Sequence, residues 1–266
     1  MQSLNNSEEL LFTDLEGNQG QLQDIIDEGL DGGYEDRIPG LINLLNSGEP
    51  YHQLLATVML TSWGHPAGFQ KLIDWANNSQ NVPWKAAPVV YERISQTDSA
   101  FEMLADAVNT SYYADENQKI QQWQIDAIKA LLGIYHQYYF GRTLALAIVR
   151  DKEIAQAVKG ETIAAMEASL KILQEHTSIG FDLAFQAACL LIPLTRIDEK
   201  VAANYANQLV SSYSHKERIL REIANALGDG TGEETLTILQ HLKTFKIPAL
   251  VRDVENAIAR RSLKID

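Results

Sequence analysis

Six histidines, one cysteine and one glycine-rich loop are the residues from which chemistry would have to be built in this sequence. The histidines are His52, His65, His136, His176, His215 and His241. None has a second His at i+3 or i+4, the spacing that sets two imidazoles on one helix face for a metal ion. His65, in Gly64-His65-Pro66, reads as a surface or capping residue, and His136, in Tyr135-His136-Gln137-Tyr138-Tyr139-Phe140, reads as packing. Cys189 lies between Ala187-Ala188 and Leu190-Leu191, a small core hydrophobe with no activating base at hand. A single cysteine also excludes an internal disulfide and a thiolate-rich zinc site.

Gly228-Asp229-Gly230-Thr231-Gly232 follows a helical pattern, whereas phosphate-cradling loops follow a strand. It is expected to be a flexible turn between helices. Asp14-Leu15-Glu16-Gly17-Asn18-Gln19-Gly20 starts like a calcium loop. Its sixth position, however, is Gln19 where the turn demands glycine, and its twelfth is Ile25 where a bidentate Glu belongs. No HExxH, GxSxG, Walker A or dinucleotide fingerprint occurs. The expectation is a protein without catalytic residues, metal or cofactor.

The charged residues carry more information. The 266 residues include 22 basic and 35 acidic ones, a net of −13. Residues 1–36 hold ten acids and no base, and residues 1–116 hold 18 acids against Arg37, Lys71, Lys85 and Arg93. Residues 117–266 are near balance, with 17 acids and 18 bases. This argues against coating DNA or RNA, which needs clustered Lys and Arg. Lys216, Arg218, Arg221, Arg260 and Arg261 read as ion-pair partners of Glu217, Glu222 and Glu255 on helix faces. Solubility alone would be served by evenly spread charge. A one-signed end instead steers a basic partner.

Aromatic residues add contact candidates. Trp63 and Trp75 fall on helical stripes and read as core, while Trp84, just after Pro83, and the Tyr112-Tyr113 pair fall at helix boundaries. Tyr and Trp at such edges anchor partners. The expected partner-binding set is Asp27, Glu28, Asp31, Glu35, Asp36, Trp84, Tyr112 and Tyr113.

The elements that must position these residues are helices. Ile38, Leu41, Ile42, Leu44 and Leu45 form one stripe, and Leu54, Leu55, Val58, Met59 and Leu60 the next. The same spacing predicts helices at 66–77, 83–94, 98–109, 117–135, 138–149, 160–175, 179–194, 198–212, 215–227, 233–244 and 248–262. Pro39, Pro50, Pro66, Pro83 and Pro248 fall near predicted starts, and Gly48, Gly64, Gly133 and Gly228 near predicted ends. Period-two alternation is scarce, so the fold class is all-α.

Two stretches share a plan: Ala56-Thr57-Val58-Met59-Leu60-Thr61-Ser62-Trp63-Gly64 before Phe69, Leu72 and Ile73, and Arg221-Glu222-Ile223-Ala224-Asn225-Ala226-Leu227-Gly228 before Leu236, Ile238, Leu239 and Leu242. With the opening Ile38-Pro39-Gly40-Leu41-Ile42-Asn43-Leu44-Leu45, they make the chain resemble the HEAT-repeat or armadillo-like α-solenoids. The resemblance implies about six stacked antiparallel helix hairpins over residues 35–266, at roughly 40 residues per repeat. Residues 1–34 would form an acidic segment of one or two short helices packed on the repeats.

Within that class the chain is similar, in architecture and charge, to HEAT-like immunity proteins of bacterial polymorphic or contact-dependent toxin systems. That likeness implies capture of a basic toxin domain by a protein that is monomeric when free. A likeness to HEAT-like bilin lyases implies instead a lyase or chaperone subunit acting on a cofactor-bearing protein, with His136, Tyr138 and Tyr139 as the candidate site. The first residues have neither a basic region nor an apolar run, and no stretch reaches the roughly 18 apolar residues of a membrane span, so a cytoplasmic location is expected.

Overall fold

The recurring apolar stripes form helices along almost the whole chain. The computed structural model describes residues 7–91, 97–114 and 120–265, and among these residues it is all-α. The backbone divides into two compact units, Met1–Ile134 and Tyr135–Asp266. The first contains α1 (Ser7–Phe12), α2 (Leu22–Leu30), α3 (Ile38–Ser47), α4 (Pro50–Ser62), α5 (Pro66–Asn77), α6 (Ala100–Thr110) and α7 (Gln121–Gly133). The second contains α8 (Thr143–Val149), α9 (Lys152–Ala157), α10 (Lys159–Gln174), α11 (Leu183–Cys189), α12 (Leu191–Ile197), α13 (Glu199–Tyr213), α14 (Glu217–Leu227), α15 (Glu233–Lys243) and α16 (Pro248–Ile265). Short 3-10 turns cover Glu35–Arg37, Ser79–Asn81 and Ser111–Ala114. Among the described residues, no helix is long and apolar enough to cross a membrane.

α4 is the centre of the first unit. Every residue from Leu54 to Ser62 is buried, as a helix with apolar or small side chains on all sides must be. It packs against α1, α2, α3, α5, α6 and the Ser111–Ala114 turn, while α5 packs against α7. Gly68 on α5 lets the backbone of Thr61 come close, where a Cβ would overlap it. Pro39, Pro50 and Pro66 stand in first turns, where their missing N–H groups cost nothing. His65 is the N-cap of α5, its Nδ1 accepting the Ala67 N–H at 3.2 Å.

Three helical expectations need correction. Residues 83–91 of the predicted 83–94 helix are non-helical, and 92–94 lie outside the described residues. Pro88 would sit in that helix's interior, where it can neither donate nor clear the carbonyl four residues before it. The predicted 138–149 helix begins only at Thr143. The predicted 179–194 helix breaks at Leu190, which places Pro193 in the first turns of α12, where a missing donor is tolerated.

α11 holds the second unit together. All seven of its residues are buried, and it packs against α10, α12, α13 and α14. Gln186, a polar residue in this apolar helix, uses its side-chain amide fully. Its Nε2 donates to the carbonyls of Tyr135 at 2.7 Å and Tyr138 at 3.0 Å, and its Oε1 accepts the N–H groups of Phe140 at 2.8 Å and Gly141 at 3.3 Å. The aromatic stretch from Tyr135 to Phe140 is thereby folded onto the core, with both end residues fully buried and their rings stacked at 5.4 Å. Glu222 of α14, also buried, accepts two bonds from the Arg142 guanidinium at the start of α8.

The loop at Gly228–Gly232 is an ordered cradle. The carboxylate of Glu199 accepts the N–H groups of Thr231 at 3.0 Å and Gly232 at 2.7 Å and the Thr235 hydroxyl, with Arg261 3.7 Å away. A Cβ on Gly230 would overlap that carboxylate. Gly230 and Gly232 thus leave room for the close approach of an anion, and the anion is the chain's own.

Replacing Gln186 by Leu removes the side-chain amide that bonds two carbonyls and two N–H groups of one turn. We expect a loss on the order of 3 kcal/mol or more in urea unfolding; a loss below about 1 kcal/mol would show that the turn does not depend on this amide. Burial alone would push the Glu199 carboxyl up, but the Thr235 hydroxyl, the two N–H groups and Arg261 hold it below its usual 4.5. Its stabilising contribution is present above that value and fades as pH falls through the lower folded one. Stability measured between pH 6 and pH 3 should therefore fall less steeply in Glu199→Gln than in the parent.

Candidate functional site

The division into units sharpens the charge asymmetry. Met1–Ile134 holds 19 acids and six bases, the full net of −13, whereas Tyr135–Asp266 holds 16 of each. In the first 70 residues the one base is Arg37, and it is buried. Its Nη1 donates to the carbonyls of Glu9 and Leu10 at 3.3 Å, its Nη2 donates to the Asp14 carbonyl at 3.1 Å, and its guanidinium lies 4.4 Å from the Tyr34 ring centre. It fixes α1 and the following loop through carbonyls and not through a direct ion pair.

The five predicted acids are all exposed. Asp27 and Glu28 stand in the last turn of α2, Asp31 is its C-cap, and Glu35 and Asp36 form the adjoining 3-10 turn. Asp27 accepts a hydrogen bond from Gln23 at 2.8 Å, and Glu28 accepts the Tyr34 hydroxyl at 2.6 Å. Burial and that carboxylate push the Tyr34 hydroxyl up to about 12. No cation among the described residues pairs with any of the five. A helix C-terminus carries partial negative charge and disfavours Asp27, Glu28 and Asp31, whereas Glu35 and Asp36 stand just before the N-terminus of α3, which favours acids.

The end of α4 packs against both α2 and the Ser111–Ala114 turn. The Trp63 indole N–H donates to the Ile26 carbonyl at 3.0 Å, its ring lies 5.5 Å from Tyr34, and its indole fills the space where Gly29 of α2 has no side chain. The next residue, Gly64, has φ +72, and the Ala114 methyl of the Ser111–Ala114 turn comes within 3.4 Å of where its Cβ would stand. That turn is pinned by buried Ser111, whose hydroxyl donates to Val108 at 2.7 Å and accepts from Gln124 of α7 at 3.0 Å. Tyr112 and Tyr113 project from it 44% and 58% exposed, edge to face at 5.8 Å.

Trp84 is corrected. It is fully buried, edge-on to Trp75 at 4.7 Å and to Phe101 at 5.9 Å, and it belongs to the core that replaces the expected helix after Pro83. Sequence reasoning missed Leu15, 61% exposed, on a loop whose Asp14 carboxylate accepts the N–H groups of Glu16 and Asn18 at 2.9 and 2.7 Å. It also missed Trp63, Ser111 and Gln124 as positioning residues, because their partners lie on other elements.

Elsewhere the structure offers little chemistry. His176 and His215 line one groove of about 480 Å³ in the second unit, with Leu170, Leu173 and Tyr213. Among the described residues no group of three His, Cys, Asp or Glu side chains could hold a metal ion. Cys189 is buried, and burial pushes its thiol well above the ordinary cysteine range. Of the C-terminal bases, Arg221 makes the expected i,i+4 pair with Glu217 at 3.9 Å, and partners on other elements add to it. Arg221 pairs with Asp253 at 2.6 Å, Lys243 takes Glu255 at 2.7 Å, and Arg218 lies over Phe185 at 3.7 Å.

Gly29→Ala would force the Trp63 indole off α2. The expected cost is about 1–3 kcal/mol, with faster amide exchange in α2; exchange in α2 at the parent rate would show that Trp63 does not hold the acidic helix. Comparison with family models, with curated proteins and with solved structures finds no match to this chain.

Proposed function

We propose that this chain is a non-catalytic binding protein that captures a basic protein on the acidic face of its first unit. The observation that carries the reading is the acid row Asp27, Glu28, Asp31, Glu35 and Asp36: all five are exposed and none pairs with a cation among the described residues, and the first three stand at the C-terminal end of α2, where the helix dipole disfavours them. Arrangements that run against local stability are expected at functional sites. The pinned tyrosine turn at the same end of α4 adds rigid aromatic contact area, as protein interfaces favour.

The helices are read as a HEAT-like solenoid. In the first unit α4 packs on α5 and α6, and α5 on α7; in the second, α14 packs on α16 and α13 on α15. Each is the neighbour relation expected when helix pairs stack and bury a shared face. The most specific form of the proposal is an immunity protein that neutralises a bacterial toxin, with the acidic face covering the toxin's basic surface.

The test is affinity purification with the full chain at low ionic strength, followed by association kinetics with the recovered protein. The expected partner is basic, and its on-rate falls steeply with salt. In the variant D31K/E35K/D36K the on-rate should drop about ten-fold or more, with a flatter salt dependence. An unchanged on-rate would reduce the acid row to a solvated surface. For the immunity form, the recovered protein should be a toxin domain whose activity an equimolar amount of this chain suppresses.

A further inference from the structure

Long-range attraction brings a basic surface to the acidic unit but does not choose between arginine and lysine. The Tyr112–Tyr113 corner supplies that choice. The two rings meet at 84°, and Tyr112 and Tyr113 expose 44% and 58% of their surface from a turn fixed by Ser111 and Gln124. Pinned rings of this kind lose little freedom on contact. An arginine guanidinium is planar and weakly hydrated, so it can lie on an aromatic face while its N–H groups reach carboxylates; a lysine ammonium is compact and holds its water.

The chain itself lays arginines closely over rings: Arg37 lies 4.4 Å from the Tyr34 ring centre and Arg218 3.7 Å from that of Phe185, while Lys71, at 5.4 Å from Trp75, and Arg142, at 5.9 Å from Phe185, stand farther off. We propose that the tyrosine corner is the docking point for an arginine side chain of the partner, and that the capture face is selective for arginine-bearing basic surfaces over lysine-bearing ones. The occupant follows from charge complementarity. The unit that carries the corner holds the whole net of −13, and the carboxylates of α2 are seated through Trp63 and Gly64 on the same helix end as the turn. This inference rests on the acidic-face reading above and adds the chemistry of the partner's contact residue.

The test uses two labelled peptides, octa-arginine and octa-lysine, equal in charge and about 26 Å long when extended. That is longer than the roughly 10 Å width of a helix. Each is titrated into the full chain at low ionic strength and followed by fluorescence anisotropy. Octa-arginine should bind about five-fold more tightly. Tyr112→Ala/Tyr113→Ala should bring the two peptides to within two-fold of each other, with octa-lysine binding unchanged, while Tyr112→Phe keeps the preference. D31K/E35K/D36K should weaken both peptides together. Equal binding of the two peptides by the parent protein, or a preference that survives loss of both tyrosines, overturns the arginine site and leaves the acidic face standing. If neither peptide binds in a salt-dependent way, the acidic-face reading fails first and the arginine site with it.

Discussion

The placement of Arg37 conditions everything at the N-terminal end. A buried guanidinium must have its N–H groups satisfied, and here carbonyl oxygens of α1 and the following loop do so, with the Tyr34 ring against its face. The carbonyls of Glu9 and Leu10 belong to the last turn of α1, where carbonyls run short of intrahelical donors. One side chain thus closes a short helix and ties down a loop. Because carbonyls take up its donors, no carboxylate is drawn into a direct ion pair with it.

Much of the fold is legible along the chain, for a physical reason. A helix buried on every side, such as α4, needs an unbroken run of apolar and small residues, and Leu54 to Ser62 shows it. Helix ends need special backbone, and Gly48, Gly64, Gly133 and Gly228 all fall at them. The charge asymmetry can be counted directly. The acid row on α2 and the exposed tyrosine pair were therefore recognisable from residue type and position.

What was not legible depends on partners far away in sequence. Trp84 looks like a boundary residue until Trp75 and Phe101 close over it from two helices. Gln186 looks like an interruption in an apolar run until the turn at Tyr135–Gly141 folds onto it. The glycines before α15 look like slack until Glu199, some thirty residues earlier, fills them. Ion pairing misleads in the same way. Spacing along one helix finds Arg221–Glu217 at 3.9 Å but not the shorter bonds between elements, Arg221 to Asp253 at 2.6 Å and Arg142 to Glu222. In each case a polar group finds its complement through folding.

Electrolyte should act on the two units with opposite sign. In the second unit, inter-helix bridges such as Lys159–Asp198, Arg196–Asp229 and Arg221–Asp253 draw on attraction between partly hydrated charges, which dissolved ions weaken. In the first, the crowded carboxylates around α2 repel one another, and the same ions relieve that repulsion. Brine therefore firms the acidic unit while it loosens the balanced one, and ionic strength becomes the dial that decides which of them melts first.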